Sequence, residues 1–246
     1  MLLAIDIGNT RTKFGIYEND SLVSRFDVPT IRTQAADDIF QPQTNQTIRA
    51  VIISSVVPEL KNTYQELARK RFSIEPIFVD SSTDFNLKIN YFPTENLGVD
   101  RLVAAFATIE KYGETCIVGD FGTATTIDVV TAGRIFLGGI IVPGMNTMSE
   151  SLFLKTAKLP QIKIEKPARV IGDSTTSAIR SGIYFGYIGL VDGIIQRMID
   201  ELGKKPKVVA TGGFARLIAE SSVKIDVVDD NLLLEGLRLI YEKRFR

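Results

Sequence analysis

Apolar and polar residues follow one another in short blocks at the N-terminus, and this pattern predicts three strands. Leu2–Ile7 is an apolar run, while Thr12–Tyr17 and Leu22–Val28 alternate between apolar and polar residues. Alternation with a period of two is typical of a strand that is buried on one face. Turn-forming residues, Gly8-Asn9 and Glu18-Asn19-Asp20, separate the three segments. The chain therefore begins with a predicted three-strand meander.

The pattern then changes to strands that alternate with helices, which favours a mostly parallel sheet. The predicted elements are a helix over Thr33–Phe40, a strand over Ala50–Ile53, a helix over Glu59–Arg71, a strand over Pro76–Val79 and a helix over Arg101–Tyr112. Pro58 stands at the start of the second of these helices and Gly113 at the end of the third, where such residues are common.

The second half of the chain repeats the opening pattern. An apolar run, Cys116–Phe121, precedes two alternating segments, Thr125–Thr131 and Arg134–Ile141, with Ala132-Gly133 as a hairpin turn. Beyond them the sequence predicts helices and short strands over Met145–Ala157, Thr175–Leu202, Lys207–Ala210, Phe214–Ala219, Lys224–Val228 and Asn231–Lys243. Four glycines inside Thr175–Leu202 indicate either a break in that helix or close packing of another helix against it.

A short motif recurs at matching places in the two halves. Asp6-Ile7-Gly8-Asn9-Thr10 and Asp120-Phe121-Gly122-Thr123-Ala124 each follow the first strand of a meander, and 114 residues separate the two aspartates. A repeat this short also arises by chance, but the matching three-strand context favours duplication. We therefore predict an α/β protein with two copies of one domain, residues 1–113 and 114–246, and a cleft between them.

Composition narrows the chemistry that the chain can perform. Its 246 residues include 29 Lys or Arg, 29 Asp or Glu, one cysteine and no histidine. The lack of histidine excludes Ser-His-Asp and Cys-His nucleophiles and His-ligated zinc. Cys116 by itself forms no internal disulfide. The neutral net charge disfavours nonspecific binding to nucleic acid. Acid and base chemistry would therefore fall mainly to carboxylates.

The same composition bears on the compartment. With 45% hydrophobic and 24% charged residues, the chain resembles ordinary globular proteins. No uninterrupted apolar run approaches the roughly 20 residues that span a bilayer. The apolar start, Met1–Ile5, lacks a basic leader and is followed at once by Asp6. We therefore expect a cytoplasmic protein with no membrane partner.

The Asp-x-Gly motif at the end of a strand suits phosphate binding. Glycine lets the backbone approach an anion closely and direct N–H groups at its oxygens, and the carboxylate can hold a hydrated magnesium ion. Thr10, Thr12 and Thr123 would add hydroxyl donors, and Lys13 could reach a phosphate as a point charge. One copy often only caps a strand, whereas two copies on matched meanders predict that nucleotide phosphates bind between the halves. The chain lacks the P-loop and Rossmann glycine motifs.

Two further segments suit a phosphotransferase. Gly98-Val99-Asp100-Arg101 precedes a predicted helix, where Asp100 alone would be interpreted as an N-cap. Its neighbour Arg101 suits a carboxylate or phosphate, and in the absence of histidine Asp100 is the candidate base that accepts the hydroxyl proton. Thr211-Gly212-Gly213 follows a short strand. A plain strand-to-helix turn is the favoured interpretation of that segment by itself, and contact with a nucleotide is the alternative.

Together these motifs resemble the type III pantothenate kinases, a family of the acetate kinase, sugar kinase, heat-shock protein and actin superfamily. The resemblance runs nearly end to end, and its motifs stand in the family's order: Asp6-Ile-Gly-Asn-Thr10, Ser54-Ser-Val-Val-Pro58, Gly98-Val-Asp-Arg101, Asp120-Phe-Gly-Thr-Ala-Thr125, Gly138-Gly-Ile-Ile-Val-Pro-Gly144 and Thr211-Gly-Gly213. It implies duplicated ribonuclease H-like (actin-like ATPase) domains, each a mixed five-stranded sheet with flanking helices, and an ATP cleft between them.

The resemblance also implies an activity, the ATP-dependent phosphorylation of pantothenate to 4′-phosphopantothenate, which is the first step of coenzyme A biosynthesis. It implies a homodimer that uses magnesium with ATP and a monovalent cation, potassium or ammonium. The alternatives are a kinase of another small acid or polyol on the same fold, and a nucleotide-binding regulator without catalysis. The presence of Asp6, Asp100 and Asp120 disfavours the regulator, which would be expected to lose a carboxylate.

Site residues follow from the matched motifs. The resemblance implies that Asp100 is the base, that Asp120 binds the monovalent cation, and that Asp6 holds magnesium through water. It implies ATP contacts for Asp6, Ile7, Gly8, Asn9, Thr10, Arg11, Thr12, Lys13, Thr123 and Gly212. It implies pantothenate contacts for Tyr91, Gly98, Val99, Asp100, Arg101 and Thr175, with Thr176 as the alternative to Thr175. Val99 departs from the alanine usual in the family, and the role of Lys13 is a guess because the loop after Thr10 varies.

Overall fold

The computed structural model describes residues 1–31 and 47–245, so the predicted helix Thr33–Phe40 lies outside the described residues. The strands are β1 (Leu2–Ile7), β2 (Arg11–Glu18), β3 (Ser21–Pro29), β4 (Ala50–Ser55), β5 (Ile77–Val79), β6 (Lys88–Ile89), β7 (Cys116–Phe121), β8 (Ala124–Val130), β9 (Ile135–Pro143), β10 (Lys207–Thr211) and β11 (Val227–Val228). The helices are α1 (Lys61–Phe72), α2 (Val99–Tyr112), α3 (Met145–Lys155), α4 (Thr175–Leu202), α5 (Ala215–Ala219) and α6 (Leu232–Arg244). Single 3₁₀ turns at Pro58–Leu60 and Thr94–Asn96 precede α1 and α2.

The chain divides into two compact units. The first comprises Met1–Lys111 and Asn231–Arg246, and its sheet has the strand order β3-β2-β1-β4-β5. β1 pairs antiparallel with β2 and parallel with β4, so the sheet is mixed. Apolar residues of β1 and β4 are fully buried against α1, where Leu67 and Ala68 face the sheet. This packing explains why β1 is apolar at nearly every position, as expected for a central strand covered on both faces.

The second unit, Tyr112–Asp230, repeats this arrangement. Its strands follow the order β11-β10-β7-β8-β9, in which β7 pairs antiparallel with β8 and parallel with β10. β7 therefore occupies the place that β1 has in the first unit, and β10 the place of β4. The duplicated α/β fold with mixed sheets and flanking helices is confirmed.

The last helix belongs to the first unit, unlike in the predicted division at 113/114. The prediction placed α6 with residues 114–246, whereas the helix packs against β1, β2 and β4. Leu233 and Leu237 of the helix are buried. Gly236 lies so close to α2 that a Cβ at this position would stand 2.8 Å from the Val103 Cγ1. An apolar helix face needs such a partner, and the first sheet supplies it.

Helix α4 runs unbroken for 28 residues through its glycines. By length and composition it is the one helix among the described residues that is long and apolar enough to cross a membrane. A single helix of this kind is only weak evidence for a membrane span. Its residues Ile183, Tyr187 and Val191 are buried in the core of the second unit. The packing of this face accounts for part of the apolar composition of the helix. Gly182, Gly186 and Gly189 have open space where a Cβ would stand, so no helix of the described residues packs closely against them.

A buried arginine fastens α6 to the first unit. Arg238 is 7% exposed at its side chain and contacts three carboxylates, those of Glu235 (2.5 Å), Glu242 (2.6 Å) and Asp20 (2.8 Å). Its guanidinium also lies 5.9 Å from the centre of the Tyr17 ring. The hydrogen bond to Glu235 raises the pKa of Arg238 and outweighs the opposing effect of burial. Asp20 belongs to the β2–β3 turn, so the cluster ties this turn to the helix.

We expect Arg238→Ala to lower the free energy of unfolding by about 3 kcal/mol, because it leaves Glu235 and Glu242 partly buried without their partner. Urea denaturation followed by circular dichroism measures this loss. Arg244→Ala is the matched control, since Arg244 lies on the same helix, pairs with the exposed Asp84 and should contribute at most about 1 kcal/mol. Equal losses in the two variants would contradict a central role for Arg238.

Candidate functional site

The first predicted phosphate loop is built around a buried carboxylate. Asp6 is 5% exposed near the end of β1, and the register pairs it with Lys13 on β2 and with Ser54 on β4. The Ser54 hydroxyl donates to Asp6 Oδ1 at 2.9 Å, and Lys13 Nζ lies 3.8 Å from Asp6 Oδ2. Lys13 thus faces the carboxylate, which the sequence left undecided. The Asp6 carboxylate is suited to hold a hydrated magnesium ion, because that ion keeps most of its waters and needs only one or two protein carboxylates.

Hydrogen bonds to the Gly8 backbone hold the turn between β1 and β2 in place. The Gly8 N–H donates to the Arg11 carbonyl at 3.1 Å, and a Cβ on Gly8 would stand 3.0 Å from that oxygen, so the turn is tight. The Thr30 hydroxyl donates to the Gly8 carbonyl at 2.7 Å. These contacts leave Asn9 and Thr10 exposed at the tip, where backbone N–H groups can approach an anion.

Not every predicted residue of this loop reaches its surface. Ile7 is fully buried in the core, so only its backbone can contact a ligand. Thr12 is also fully buried, and its hydroxyl lies 3.1 Å from the Thr30 hydroxyl and accepts from Tyr64 at 3.3 Å. Burial raises the pKa of Tyr64, so this phenol stays protonated. Arg11 is exposed and pairs with Asp27.

A second group of predicted residues lies at the start of α2. The helix begins at Val99, two residues earlier than predicted, so Asp100 stands inside its first turn and is not the N-cap. The Arg101 N–H donates to Asp100 Oδ1 at 2.9 Å. A Cβ on Gly98 would stand 2.5 Å from the same oxygen, so glycine makes room for the carboxylate there. The N-terminal turn of a helix also stabilises a negative charge.

Arg101 and Tyr91 form one surface beside Asp100. Arg101 is 5% exposed, and its guanidinium lies 5.2 Å from the centre of the Tyr91 ring, which orients the planar fork. The Thr94 hydroxyl donates to the Tyr91 carbonyl at 3.1 Å and holds the preceding segment in place. The buried Val99 packs into the protein at the start of the helix. Neighbouring Phe92 is 95% exposed. Within the first unit, the structure therefore brings together Tyr91 and the residues at the start of α2 for which the sequence predicts contact with the acceptor.

The second unit carries the other predicted loop, after β7. A Cβ on Gly144 would stand 2.0 Å from the Gly122 carbonyl, so the start of α3 presses directly on this turn. The Gly144 N–H and the Thr147 hydroxyl both donate to the Thr123 carbonyl, at 2.9 and 2.7 Å. The turn is thereby fixed while the Thr123 side chain is exposed. The Gly138–Gly144 motif thus supports the loop through α3.

The turn after β10 lies against the carboxylate of Asp120, at the end of β7. Gly212 has φ +94°, and a Cβ there would stand 2.4 Å from Asp120 Oδ1 and 2.6 Å from the Phe121 N. Only glycine accepts this combination of backbone conformation and close approach. The adjacent Thr211 pairs in register with Asp120 and is fully buried. Among the described residues, the Thr211 hydroxyl has no hydrogen-bond partner.

Thr175 and Cys116 complete the comparison with the sequence. Thr175 is the exposed first residue of α4, whose N-terminus is capped reciprocally by Ser174 and Ser177. Cys116 is buried, and burial raises the pKa of its thiol to about 12, so it is no nucleophile at neutral pH. Within residues 1–31 and 47–245, no group of three or more acidic or thiol side chains forms a ready metal site.

Sequence reasoning missed two polar residues, Ser54 and Thr211. Ser54 follows the apolar residues of β4 and Thr211 ends β10, but the sequence does not show the strand register that places each beside an aspartate. In the sequence, both residues stand out only as parts of matched motifs, in which neither residue is assigned a role.

Comparison with known proteins agrees with these features. Residues 2–197 match the model of a family described as type III pantothenate kinase. A type III pantothenate kinase of Koribacter versatilis (strain Ellin345) is 42% identical over 262 residues, which cover 99% of this chain and 96% of that protein.

Solved structures show the fold alone. A conserved protein from Campylobacter jejuni, assigned to the Baf family of transcriptional activators, has a TM-score of 0.61 at 22% identity and covers 98% of both chains. An inorganic polyphosphate/ATP-glucomannokinase from Arthrobacter sp. strain KM has a TM-score of 0.50 at 14% identity and covers 99% of both chains.

The contact between Gly212 and Asp120 makes a prediction about stability. Gly212→Ala should lower the free energy of unfolding by about 2 kcal/mol or more, because alanine is strained at this φ and its Cβ meets the Asp120 carboxylate and the Phe121 backbone. The measurement is urea denaturation of the purified variant. Gly213→Ala is the control, since a Cβ at Gly213 meets nothing within 4 Å and should change stability by at most about 0.5 kcal/mol.

Proposed function

The chain belongs to the type III pantothenate kinase family, and on that premise we propose which residues perform each part of its reaction. The enzyme transfers the terminal phosphoryl group of ATP to the primary hydroxyl of pantothenate, yielding 4′-phosphopantothenate and ADP in the first step of coenzyme A biosynthesis. This reaction needs positioning of two substrates, a base near the attacking hydroxyl, and groups that stabilise charge on the transferred phosphoryl.

Asp100 is the base that accepts the hydroxyl proton of pantothenate. Three observations support this role: the residue lies in the first turn of α2, the Arg101 N–H holds one of its oxygens, and Gly98 leaves space beside it. A hydrogen bond to one oxygen orients the carboxylate, which lets the other oxygen meet a hydroxyl. Since the chain has no histidine and its one thiol is buried and protonated, a carboxylate is the suitable base.

Arg101 and Tyr91 bind the acceptor together with Gly98 and Val99. Pantothenate is a carboxylate, and a guanidinium oriented on an aromatic ring presents a fixed fork to such a group. We also assign Thr175 to pantothenate, and its side chain is exposed at the start of a long helix. This last assignment rests on the match to the family's motif.

The residues Asp6 to Lys13 bind the phosphates of ATP. The exposed turn at Gly8, Asn9, Thr10 and Arg11 would supply backbone N–H and side-chain donors. Ile7 would contribute its backbone only, and Thr12 supports the turn from inside through Thr30 and Tyr64. Asp6 would hold magnesium through water, and that ion would neutralise developing charge on the phosphates. Lys13 stands beside Asp6 as a second positive group.

In the second unit, we assign Asp120 to the monovalent cation, and Thr123 and Gly212 to ATP. Asp120 holds a monovalent cation, and the orphaned hydroxyl of Thr211 supports this assignment because it stands in register with Asp120. Potassium binds to both neutral and charged oxygen atoms, and the Thr211 hydroxyl and the Asp120 carboxylate offer one of each kind. Thr123 has an exposed side chain for ATP, and the Gly212 backbone lies against the same strand end.

We further propose that the enzyme works as a homodimer in the cytoplasm. The family resemblance supports both statements. The free, protonated Cys116 is consistent with a reducing compartment.

Turnover of the purified protein with ATP, magnesium, potassium and pantothenate tests the proposal. Asp100→Asn should lower kcat by at least about 100-fold while the ADP affinity and the unfolding free energy change little, because only the proton acceptor is removed. ADP release and product mass measure the reaction. Glu95→Gln is the control, as it removes an exposed carboxylate from the preceding turn. Near-normal turnover of Asp100→Asn would refute the base, and phosphorylation of other acids or polyols instead would refute the acceptor.

The cation site makes a separate prediction. Replacing potassium with sodium should lower activity, and potassium should raise the melting temperature of the ADP-bound protein more than sodium does. Asp120→Asn should abolish this difference in melting temperature, and Thr211→Val should reduce it. Differential scanning calorimetry in chloride salts of matched ionic strength measures the effect. Indifference of the wild-type protein to the exchange would remove the cation from the proposal.

A further inference from the structure

A hydroxyl stands beside the strand-end aspartate in both units. The parallel pairing of β1 with β4 sets Ser54 opposite Asp6, and the parallel pairing of β7 with β10 sets Thr211 opposite Asp120. Residues that pair in register project to the same face of a sheet. The duplication therefore repeats a carboxylate together with a neighbouring hydroxyl, a feature that neither motif contains by itself.

In the first unit this hydroxyl is engaged. Ser54 is fully buried at the end of an apolar strand, and its Oγ donates to Asp6 Oδ1 at 2.9 Å. The other carboxylate oxygen, Oδ2, faces Lys13 Nζ at 3.8 Å. The two oxygens of Asp6 thus have different neighbours, so the hydrogen bond from Ser54 determines how the carboxylate plane is turned.

Neighbouring Ser55 shows that a hydroxyl on this strand need not serve the aspartate. Its Oγ accepts from the Val57 N–H at 3.0 Å and lies 3.1 Å from the Val57 carbonyl, within the turn that follows β4. Ser55 therefore supports its own turn, whereas Ser54 has the carboxylate as its hydrogen-bond acceptor.

We propose that Ser54 is a positioning residue for phosphoryl transfer, which acts by orienting the Asp6 carboxylate toward the hydrated metal ion that accompanies the nucleotide. The inference rests on the proposed role of Asp6. Without the Ser54 hydroxyl, the carboxylate can rotate toward Lys13, which would then compete with the water ligands of the metal for the Asp6 oxygens. Substitution of a hydrogen-bonding partner in the outer coordination shell typically lowers metal affinity 10- to 100-fold.

The test measures binding of Mn²⁺·ADP, by electron paramagnetic resonance, next to kcat and KM for MgATP. Ser54→Ala should weaken Mn²⁺·ADP binding about tenfold and raise the magnesium concentration for half-maximal activity, with an unchanged KM for pantothenate. Ser54→Thr should restore binding; if its extra methyl group prevents folding, Ser54→Cys replaces it and should restore binding in part. Ser55→Ala is the matched control and should bind Mn²⁺·ADP as the wild type does.

A double-mutant cycle separates positioning from a merely structural role. Asp6→Asn should weaken Mn²⁺·ADP binding, and adding Ser54→Ala to it should produce less than a twofold further change. If Asp6→Asn weakens binding and Ser54→Ala does not, the role of Ser54 is wrong and that of Asp6 stands. If Asp6→Asn leaves binding unchanged, the proposed role of Asp6 falls, and the inference about Ser54 falls with it. Independent, additive effects of the two substitutions would also overturn the inference.

Discussion

The pairing of a central strand with a parallel neighbour is the constraint on which the candidate residues of both units depend. β1 and β7 each end near an aspartate, and the backbone hydrogen bonds to β4 and β10 decide what stands beside it. Because register fixes which side chains share a face, Asp6 receives Ser54 and Asp120 receives Thr211. A shift of one residue that placed Ile53 beside Asp6 and Ala210 beside Asp120 would remove both hydroxyls.

Around these strand ends, close backbone approach replaces bulky side chains. Gly98 makes room for Asp100, Gly144 lets α3 press on the turn after β7, and Gly212 lies against Asp120 at a positive φ. Each contact would be obstructed by a Cβ atom. Within each unit, backbone thus packs closely beside a carboxylate or a turn, which suits phosphoryl transfer because that reaction depends on positioning and electrostatic stabilisation more than on covalent chemistry. The absence of histidine from the chain is consistent with this chemistry.

The C-terminal helix shows how packing can override position in the chain. A duplicated sequence suggests that everything after residue 113 belongs to the second copy, yet α6 covers the first sheet and is held there by Arg238. Its apolar face packs beside α2, where Gly236 permits the close approach. The first unit is thus completed only by residues 231–246, and α2 and β1 share α6 as a neighbour.

The sequence by itself predicted most of the described strands and helices in their order, the duplication, the family and a set of candidate site residues, because periodicity and short motifs are local properties. It placed Asp6 and Asp120 correctly at strand ends and located α2 to within two residues. Only the tertiary structure decided that Lys13 faces Asp6, that Thr12 is buried, that Asp100 lies inside the helix, and that Ser54 and Thr211 accompany the aspartates. These facts depend on register and packing between segments far apart in the chain, which no local pattern encodes.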